Sequence, residues 1–156
     1  MAETSNIAIL HATPPNTPFA EFNFSLPSVV AIVPQVVDAV ISRVGSLRVK
    51  DSNEDDIELA LQEALLNAVI HGNREDPFKR VYVRLRCTAD GDVQIRIRDE
   101  GAGFDFASVP DPTTPEHLLC RHGRGIFLMR ALMDEVSFEQ GGRIVYMRKC
   151  PSSPPH

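Results

Sequence analysis

The segment from Val81 to Arg98 constrains the fold more than any other, because strict alternation runs along both sides of a short turn. Apolar side chains fill every second position, arginines fill most of the positions between them, and Ala89-Asp90-Gly91 has the composition of a turn. The pattern predicts an antiparallel β-hairpin with one apolar face and one arginine-bearing face. The arginines either dock an acidic partner or are simply solvated. The apolar residues are Val81, Val83, Leu85, Cys87, Val93, Ile95 and Ile97, and the arginines are Arg84, Arg86, Arg96 and Arg98.

Two helices are predicted upstream of this hairpin. The first has apolar residues at helical spacing between Pro34, which suits the first helical position, and Gly45, which is a stop signal. The second begins at a cap, Ser52 or Asn53, with an acidic residue three positions later as in a capping box, and it ends at Gly72.

Three further strands are indicated by shorter patterns. Phe22, Phe24 and Leu26 alternate with polar residues, which predicts a half-buried strand near a sheet edge. A short strand is indicated around Val136, and a last strand over residues 144–149. Because exposed sheet edges invite pairing, the first of these strands suggests a contact between two copies of the chain.

Length and composition limit the class of protein. The 156 residues suit one domain, which we expect over residues 19–150, between a flexible arm over residues 1–18 and a disordered tail over residues 151–156. A net charge of -5 argues against general nucleic-acid binding. No apolar run reaches the roughly 20 residues that a membrane helix needs, and no secretory signal is apparent. Three cysteines without C-x-x-C spacing suggest neither disulfides nor a zinc site, so we expect a cytoplasmic protein.

The second helix carries the first of three polar motifs. Glu63, Asn67 and His71 fall at positions i, i+4 and i+8, on a face next to the apolar stripe. An amide oxygen beside phosphates suits Mg²⁺, which takes few protein ligands, and a nearby carboxylate can orient or deprotonate an attacking hydroxyl. A Glu/Asn pair on a helix is by itself more often a surface or capping pair. The motifs further along the chain therefore have to distinguish this interpretation from a functional one.

The second motif, Asp99-Glu100-Gly101-Ala102-Gly103-Phe104, follows the second strand of the hairpin. An aspartate there can accept a hydrogen bond from the exocyclic amine of adenine, while Gly101 and Gly103 allow the backbone to approach the base. The same residues also form ordinary turns, and taken alone the motif favours a turn.

The third motif, Gly123-Arg124-Gly125-Ile126, opens a helix that is predicted to run from about Gly125 to Met133. Backbone N–H groups and the positive end of the helix dipole would converge there as an anion site. The chain has no G-x-x-x-x-G-K-[ST] segment, which excludes a P-loop. The preceding stretch, residues 101–122, is long and rich in glycine and proline, as functional lids often are.

In this order and spacing the three motifs describe a nucleotide pocket, and they resemble the N, G1 and G2 boxes of the GHKL ATPase superfamily. The resemblance is closest to the stand-alone anti-sigma regulatory factors with serine-protein kinase activity, and it covers about residues 19–149. It implies a Bergerat-type α/β (α+β) two-layer sandwich, in which a mixed, mostly antiparallel sheet carries helices over one face. It also implies ATP and Mg²⁺ as cofactors.

The resemblance assigns a role to each motif residue. Glu63 would be the catalytic base, Asn67 the Mg²⁺ ligand and Asp99 the residue that reads adenine. The residues implied to bind the cofactor are Asn67, His71, Asp99, Gly101, Ala102, Gly103, Arg121, Gly123, Arg124, Gly125 and Ile126. Leu128 stands where histidine kinases of the superfamily have a third glycine, and there is no phosphoacceptor helix domain. Arg143 stands near the last strand where the family often has a threonine that contacts phosphate.

Two classes of function follow from the resemblance. In the first, the protein is a kinase that phosphorylates a serine of a STAS-type anti-anti-sigma partner and controls a sigma factor by partner switching, with a PP2C-type phosphatase in the same pathway. In the second, it is a nucleotide-gated binding module without significant turnover. The presence of Glu63 favours the kinase, because binding alone needs no base. The resemblance also implies a homodimer.

Overall fold

Strand alternation and helical periodicity produce one sheet with three helices packed against it. The computed structural model describes residues 8–12, 19–47, 53–103 and 121–151. The strands are β1 (Ala8–Ala12), β2 (Phe19–Pro27), β3 (Arg80–Thr88), β4 (Val93–Arg98), β5 (Glu135–Glu139) and β6 (Ile144–Lys149). The helices are α1 (Val33–Leu47), α2 (Glu54–Leu66) and α3 (Arg121–Leu132), with a π-helical turn (Asn67–Gly72) after α2 and short 3-10 turns at Val30–Ile32 and Gln140–Gly142. None of the helices in these ranges is long and apolar enough to cross a membrane.

The six strands form a single sheet in the order β1-β2-β3-β4-β6-β5. The predicted hairpin is confirmed: β3 and β4 pair antiparallel, with Leu85 opposite Ile95 and Val83 opposite Ile97. The turn between them is closed by a hydrogen bond from the Gly91 amide to the Thr88 carbonyl. All five strand pairings among the described residues are antiparallel, whereas a mixed sheet was expected.

One face of the sheet carries the hydrophobic core, as the alternation predicts. Leu85 and Ile95 are fully buried there, and they belong to the same core cluster as Val40 of α1, Leu61 of α2 and Met129 of α3. The predicted two-layer arrangement, with helices over one face, is therefore confirmed.

The arginines on the other face pair with neighbours in the same sheet. Arg86 bonds to Glu21 at 2.8 Å, Arg96 to Glu139 at 3.1 Å and Arg148 to Asp92 at 2.9 Å. Arg98 stacks on the ring of Tyr82, with its guanidinium carbon 4.4 Å from the ring centre. These carboxylates and this ring already neutralise or cover most of the guanidinium groups. The structure therefore favours a solvated arginine face over one that docks an acidic partner.

Strand β1 was not anticipated, because it lies in the segment predicted to be a flexible arm. It pairs antiparallel with β2, with Ile9 opposite Phe24 and Ala12 opposite Phe22. The strand that contains Phe22, Phe24 and Leu26 is therefore the second of the sheet, near its edge as predicted, but β1 forms the edge itself.

Two of the predicted helix signals, the stop at Gly45 and the cap at Asn53, do not act as predicted. Helix α1 begins at Val33, one residue before Pro34, and continues through Gly45 to Leu47, since a glycine that keeps helical dihedral angles costs stability without ending the helix. Asn53 occupies the N-cap of α2, but its side chain makes no capping hydrogen bond. The acidic first turn of α2 is confirmed.

Candidate nucleotide site

The helix that carries the first motif changes its hydrogen-bond pattern within that motif. Glu63 lies in the last turn of α2, and the π-helical turn begins at Asn67 and ends at Gly72, as the stop signal predicts. Single π turns inside helices are rare and occur often at functional sites. Because a π turn bonds residue i to residue i+5, four residues no longer complete one turn, so the predicted alignment of His71 with Asn67 is altered. His71 is exposed, whereas Asn67 is half-buried.

Glu63 and Asn67 converge on one point of α3. A Cβ atom placed on Gly125 would lie 2.9 Å from the Glu63 Oε2 atom and 3.3 Å from the Asn67 Nδ2 atom. Because Cβ atoms essentially never lie as close to another atom as the first of these distances, any larger residue at position 125 would push the end of the Glu63 side chain aside. The first and third motifs therefore form one site, as the nucleotide-pocket interpretation requires.

The third motif lies inside helix α3 and not ahead of it, which corrects the prediction. The helix begins at Arg121, four residues before Gly125. Within the described residues, Gly123 lies in the first turn of this helix and Gly125 in the second. Arg124 is exposed. The side chain of Ile126 is buried in the core with 5% exposure, among apolar neighbours.

Asp99 is buried at the end of β4 between two glycines. Its side chain accepts a hydrogen bond from the Gly101 amide at 2.8 Å, and its own amide donates to the Arg143 carbonyl at 2.9 Å. A Cβ on Gly72 would collide with the Asp99 carboxylate, and a Cβ on Gly101 would collide with the Gly72 backbone. The second motif is thus packed directly on the end of the first.

Burial raises the pKa of the Asp99 carboxyl above its ordinary value. The hydrogen bond from Gly101 and the positive charges of Arg143 and Lys79 act in the opposite direction, but they do not cancel the effect of burial. A buried carboxylate that has one oxygen bonded to a backbone amide and lies next to glycines is suited to accept an amine hydrogen bond from a flat base.

Gly103 completes the second motif with a backbone that side-chain-bearing residues rarely adopt. Its φ angle is +83°, and a Cβ there would lie 2.5 Å from the Gly141 carbonyl oxygen in the turn before β6. Ala102, which lies between Gly101 and Gly103, is exposed. Phe104 and the proline-rich stretch lie outside the described residues, and so does the side chain of Arg121.

A narrow cleft connects the first and second motifs. Asn67 and Asp99 both line it, together with Phe138 and Arg143, and its volume is about 20 Å³. Wider grooves of about 350 and 340 Å³ lie on the arginine-bearing face of the sheet, away from all three motifs. These grooves have more space than the cleft, but the buried Asp99 carboxylate and the glycines lie at the cleft. A base that enters the cleft has to displace side chains along it.

Sequence reasoning missed Asn73, which is 1% exposed directly after the π turn. Its side-chain nitrogen donates to Ser28 Oγ at 2.6 Å and to the Arg80 carbonyl at 3.0 Å. Its side-chain oxygen accepts from the Glu100 amide at 2.8 Å. The only available signal was a polar residue directly after the glycine that ends the helix.

The residues at this site fit a nucleotide with its Mg²⁺ ion. Glycines at 72, 101 and 125 leave the backbone bare next to the acid and the amide, where any Cβ would collide. Among the described residues, no group of three or more histidine, cysteine or acidic side chains is placed to hold a metal by itself. The Asn67 amide with the Glu63 carboxylate beside it is a donor set that suits Mg²⁺, which takes one or two protein ligands and completes its shell with phosphates and waters.

The comparison with known protein families agrees with this geometry. A profile of the histidine kinase-like ATPase domain matches residues 26–149. The chain belongs to this family. The match confirms the resemblance to GHKL ATPases, and a family of this kind implies the use of ATP.

Individual relatives place the chain in the anti-sigma branch. It is 34% identical over 130 residues to the serine-protein kinase RsbW of Bacillus subtilis (strain 168), covering 79% of each chain. It is 38% identical over 99 residues to the anti-sigma F factor of Heyndrickxia coagulans, covering 59% of this chain and 66% of that protein, just under two thirds. RsbW of Bacillus velezensis is 32% identical over 124 residues, with 76% of this chain and 75% of that protein covered.

Proposed function

We propose that this protein is an anti-sigma regulatory factor and an ATP- and Mg²⁺-dependent serine kinase. It transfers the γ-phosphate of ATP to a serine of a STAS-type anti-anti-sigma protein, and it controls a sigma factor by exchanging one partner for the other. The names of its relatives support both halves of the proposal, since they include a serine-protein kinase and an anti-sigma factor.

The observation that carries the proposal is the convergence of Glu63 and Asn67 on Gly125. A carboxylate and an amide that both lie next to Gly125 have the closeness that a base and a metal ligand of one site would need. A Glu/Asn pair that only lies on the surface or caps a helix needs no glycine on a neighbouring helix. This packing therefore disfavours the interpretation of Glu63 and Asn67 as a surface or capping pair.

Each residue has a distinct task in the proposed reaction. Asp99 accepts the amine hydrogen bond of adenine, and Gly101 and Gly103 leave room for the plane of the base. Asn67 holds Mg²⁺, which, when bound, neutralises charge on the phosphates during transfer. The backbone N–H groups in the first described turn of α3, including that of Gly123, would donate to phosphate oxygens. Glu63 takes the proton of the attacking serine hydroxyl as the phosphorus–oxygen bond forms and ADP departs.

A nucleotide-gated binding module without turnover is the second candidate. One relative is named only as an anti-sigma factor, a name that describes binding. Binding alone would need Asp99 and the glycines but no base, and the position of Glu63 against Gly125 therefore favours the kinase.

The remaining parts of the proposal concern the surroundings of the protein. They are a sigma factor and a STAS protein as partners, a PP2C-type phosphatase that reverses the reaction, a cytoplasmic location and a homodimer. Since β1 covers β2, the strands left for pairing at the edges of the described sheet are β1 and β5. Light scattering tests the dimer: a monomer at tens of micromolar would contradict it.

A transfer assay tests the proposed function. The protein is incubated with γ-labelled ATP and Mg²⁺ and with each STAS protein encoded by neighbouring genes, alongside a form of that STAS protein whose candidate serine is alanine. We expect label on the native STAS protein alone. If the kinase binds ATP but labels none of these proteins, the binding-module interpretation replaces the kinase.

A further inference from the structure

The segment after Asp99 is held by a side chain from a distant part of the chain. The Glu100 amide donates to the Asn73 Oδ1 atom at 2.8 Å, across 27 residues of sequence. The Asp99 amide on the other side donates to the Arg143 carbonyl at 2.9 Å. The backbone of Asp99 is therefore fixed at its own amide by the β5–β6 turn and at the next amide by Asn73.

Asn73 can hold this position because it is itself fully bonded. Its two side-chain donations go to Ser28 Oγ and to the Arg80 carbonyl, and its backbone amide donates to the Ala68 carbonyl at 2.8 Å. Ser28 in turn donates from its hydroxyl to the Lys79 carbonyl at 3.0 Å. With 1% exposure, Asn73 has no water to exchange these partners for, so its amide has one orientation that satisfies all of them.

The same residue connects the helix of the first motif to the acid of the second. Asn73 directly follows Gly72, whose Cα lies so close to the Asp99 carboxylate that a Cβ would collide with it. A displacement of Asn73 would therefore move both the Glu100 turn and the backbone surface against which Asp99 rests.

We infer that Asn73 is a positioning residue for nucleotide recognition: its hydrogen bond to the Glu100 amide aims the Asp99 carboxylate at the adenine amine. The inference rests on the proposed function, because it takes Asp99 as the group that reads adenine. Asn73 touches no nucleotide atom itself, and it acts only through the turn that it holds.

The bonds of Asn73 can be separated by substitution. Asn73→Ala removes the bond to Glu100 together with both donations. Ser28→Ala is the matched control, because it removes one of the donations and leaves the bond to Glu100 in place. Asn73→Ser keeps a polar group in the buried position but is too short to reach Glu100, and it serves if Asn73→Ala does not fold.

The test is the ratio of affinities for ATP and inosine triphosphate, which carries an oxygen in place of the adenine amine. Each variant is titrated calorimetrically at a temperature well below its own melting point, together with Asp99→Asn. We expect Asn73→Ala or Asn73→Ser to lose about tenfold in ATP affinity, with the ratio falling toward that of Asp99→Asn. Ser28→Ala should lower the melting temperature and leave the ratio at the parent value.

The outcomes distinguish this inference from the proposed function. If the parent prefers ATP and the Asn73 variants keep its ratio, the positioning role is wrong and Asn73 only stabilises the fold. If Ser28→Ala lowers the ratio as much as Asn73→Ala does, general loosening explains the effect and the inference fails. If the parent itself does not distinguish the two nucleotides, adenine recognition by Asp99 fails, and the inference fails with it.

Discussion

The Asp99 carboxylate lies directly against the Cα atom of Gly72, with no room for a side chain between them. Gly72 ends the helix of the first motif and Asp99 directly follows β4, so this contact joins two segments that are far apart in the sequence. Position 72 requires a glycine because the buried Asp99 carboxylate approaches it so closely, and not only because a helix ends there.

Gly72→Ala should therefore damage nucleotide binding and stability together. The added methyl group would displace the Asp99 carboxylate, and overpacking of this kind costs about 1–3 kcal/mol. We expect ATP binding to fall below detection in calorimetry and the melting temperature to drop. An alanine variant with parent affinity would show that this contact does not shape the site.

Gly45→Ala is the matched control for that substitution. Its Cβ would meet nothing closer than the Glu54 carboxylate at 3.5 Å, and the position is helical. Replacing a helical glycine by alanine stabilises by about 0.5–1 kcal/mol, so we expect a higher melting temperature and unchanged ATP binding.

Asp99→Asn should separate stability from recognition. Because burial raises the pKa of the folded Asp99 above that of the unfolded chain, protonation stabilises the fold: this contribution is full below the unfolded pKa and is lost as the pH rises through the folded pKa. Asparagine avoids the buried charge and keeps an oxygen for the Gly101 amide. At pH 7 we expect a melting temperature at or above that of the parent, and loss of the preference for adenine.

Thermal melts from pH 4 to pH 8 measure this effect. The difference between variant and parent should shrink as the pH falls, because the parent gains its proton in that direction. A difference that widens on acidification, or a variant that is less stable than the parent at pH 7, would contradict the cost that we assign to the buried charge.

The sequence predicted the sheet and the three motifs better than it predicted how they meet. Alternation along β3 and β4 depends only on which face is buried, so the hairpin and its core side could be read from residue order. Strand β1 could not, because Ile9 and its neighbours form a strand only when the open edge of β2 is available to pair with them.

The site was predictable as a set of residues but not as a geometry. The π-helical turn at Asn67–Gly72 was not predicted, because the apolar spacing of the sequence indicates only a continuous helix. Helix α3 extends through Gly125 despite the low helix propensity of glycine, and its close approach to Glu63 and Asn67 at that position could not be read from the sequence. Asn73 was missed because its importance lies in its hydrogen bonds, two of which reach Ser28 and Glu100 in distant parts of the sequence.

Gly125→Ala should impair transfer more than folding. Its Cβ would lie 2.9 Å from the Glu63 Oε2 atom and 3.3 Å from the Asn67 Nδ2 atom, and both are the ends of flexible side chains that can rotate away. We expect a melting temperature within a few degrees of the parent, since one kcal/mol corresponds to about 2–4 °C in a domain of this size. Phosphotransfer to the STAS partner should fall at least tenfold because the base is displaced. Parent-level transfer would contradict the convergence of the two motifs.

The most direct test of the proposed chemistry is Glu63→Gln, measured for nucleotide affinity and for phosphotransfer on the same preparation. Glutamine is as good a helix former as glutamate and nearly the same size, and the proposed contacts to ATP come from Asp99, Asn67 and the start of α3. Removing only the base should leave ATP affinity unchanged and lower transfer by about 10²–10⁴-fold. Asn67→Ala should instead lose Mg²⁺-dependent binding and transfer together. If Glu63→Gln transferred phosphate at the parent rate, the assignment of Glu63 as the catalytic base would be wrong.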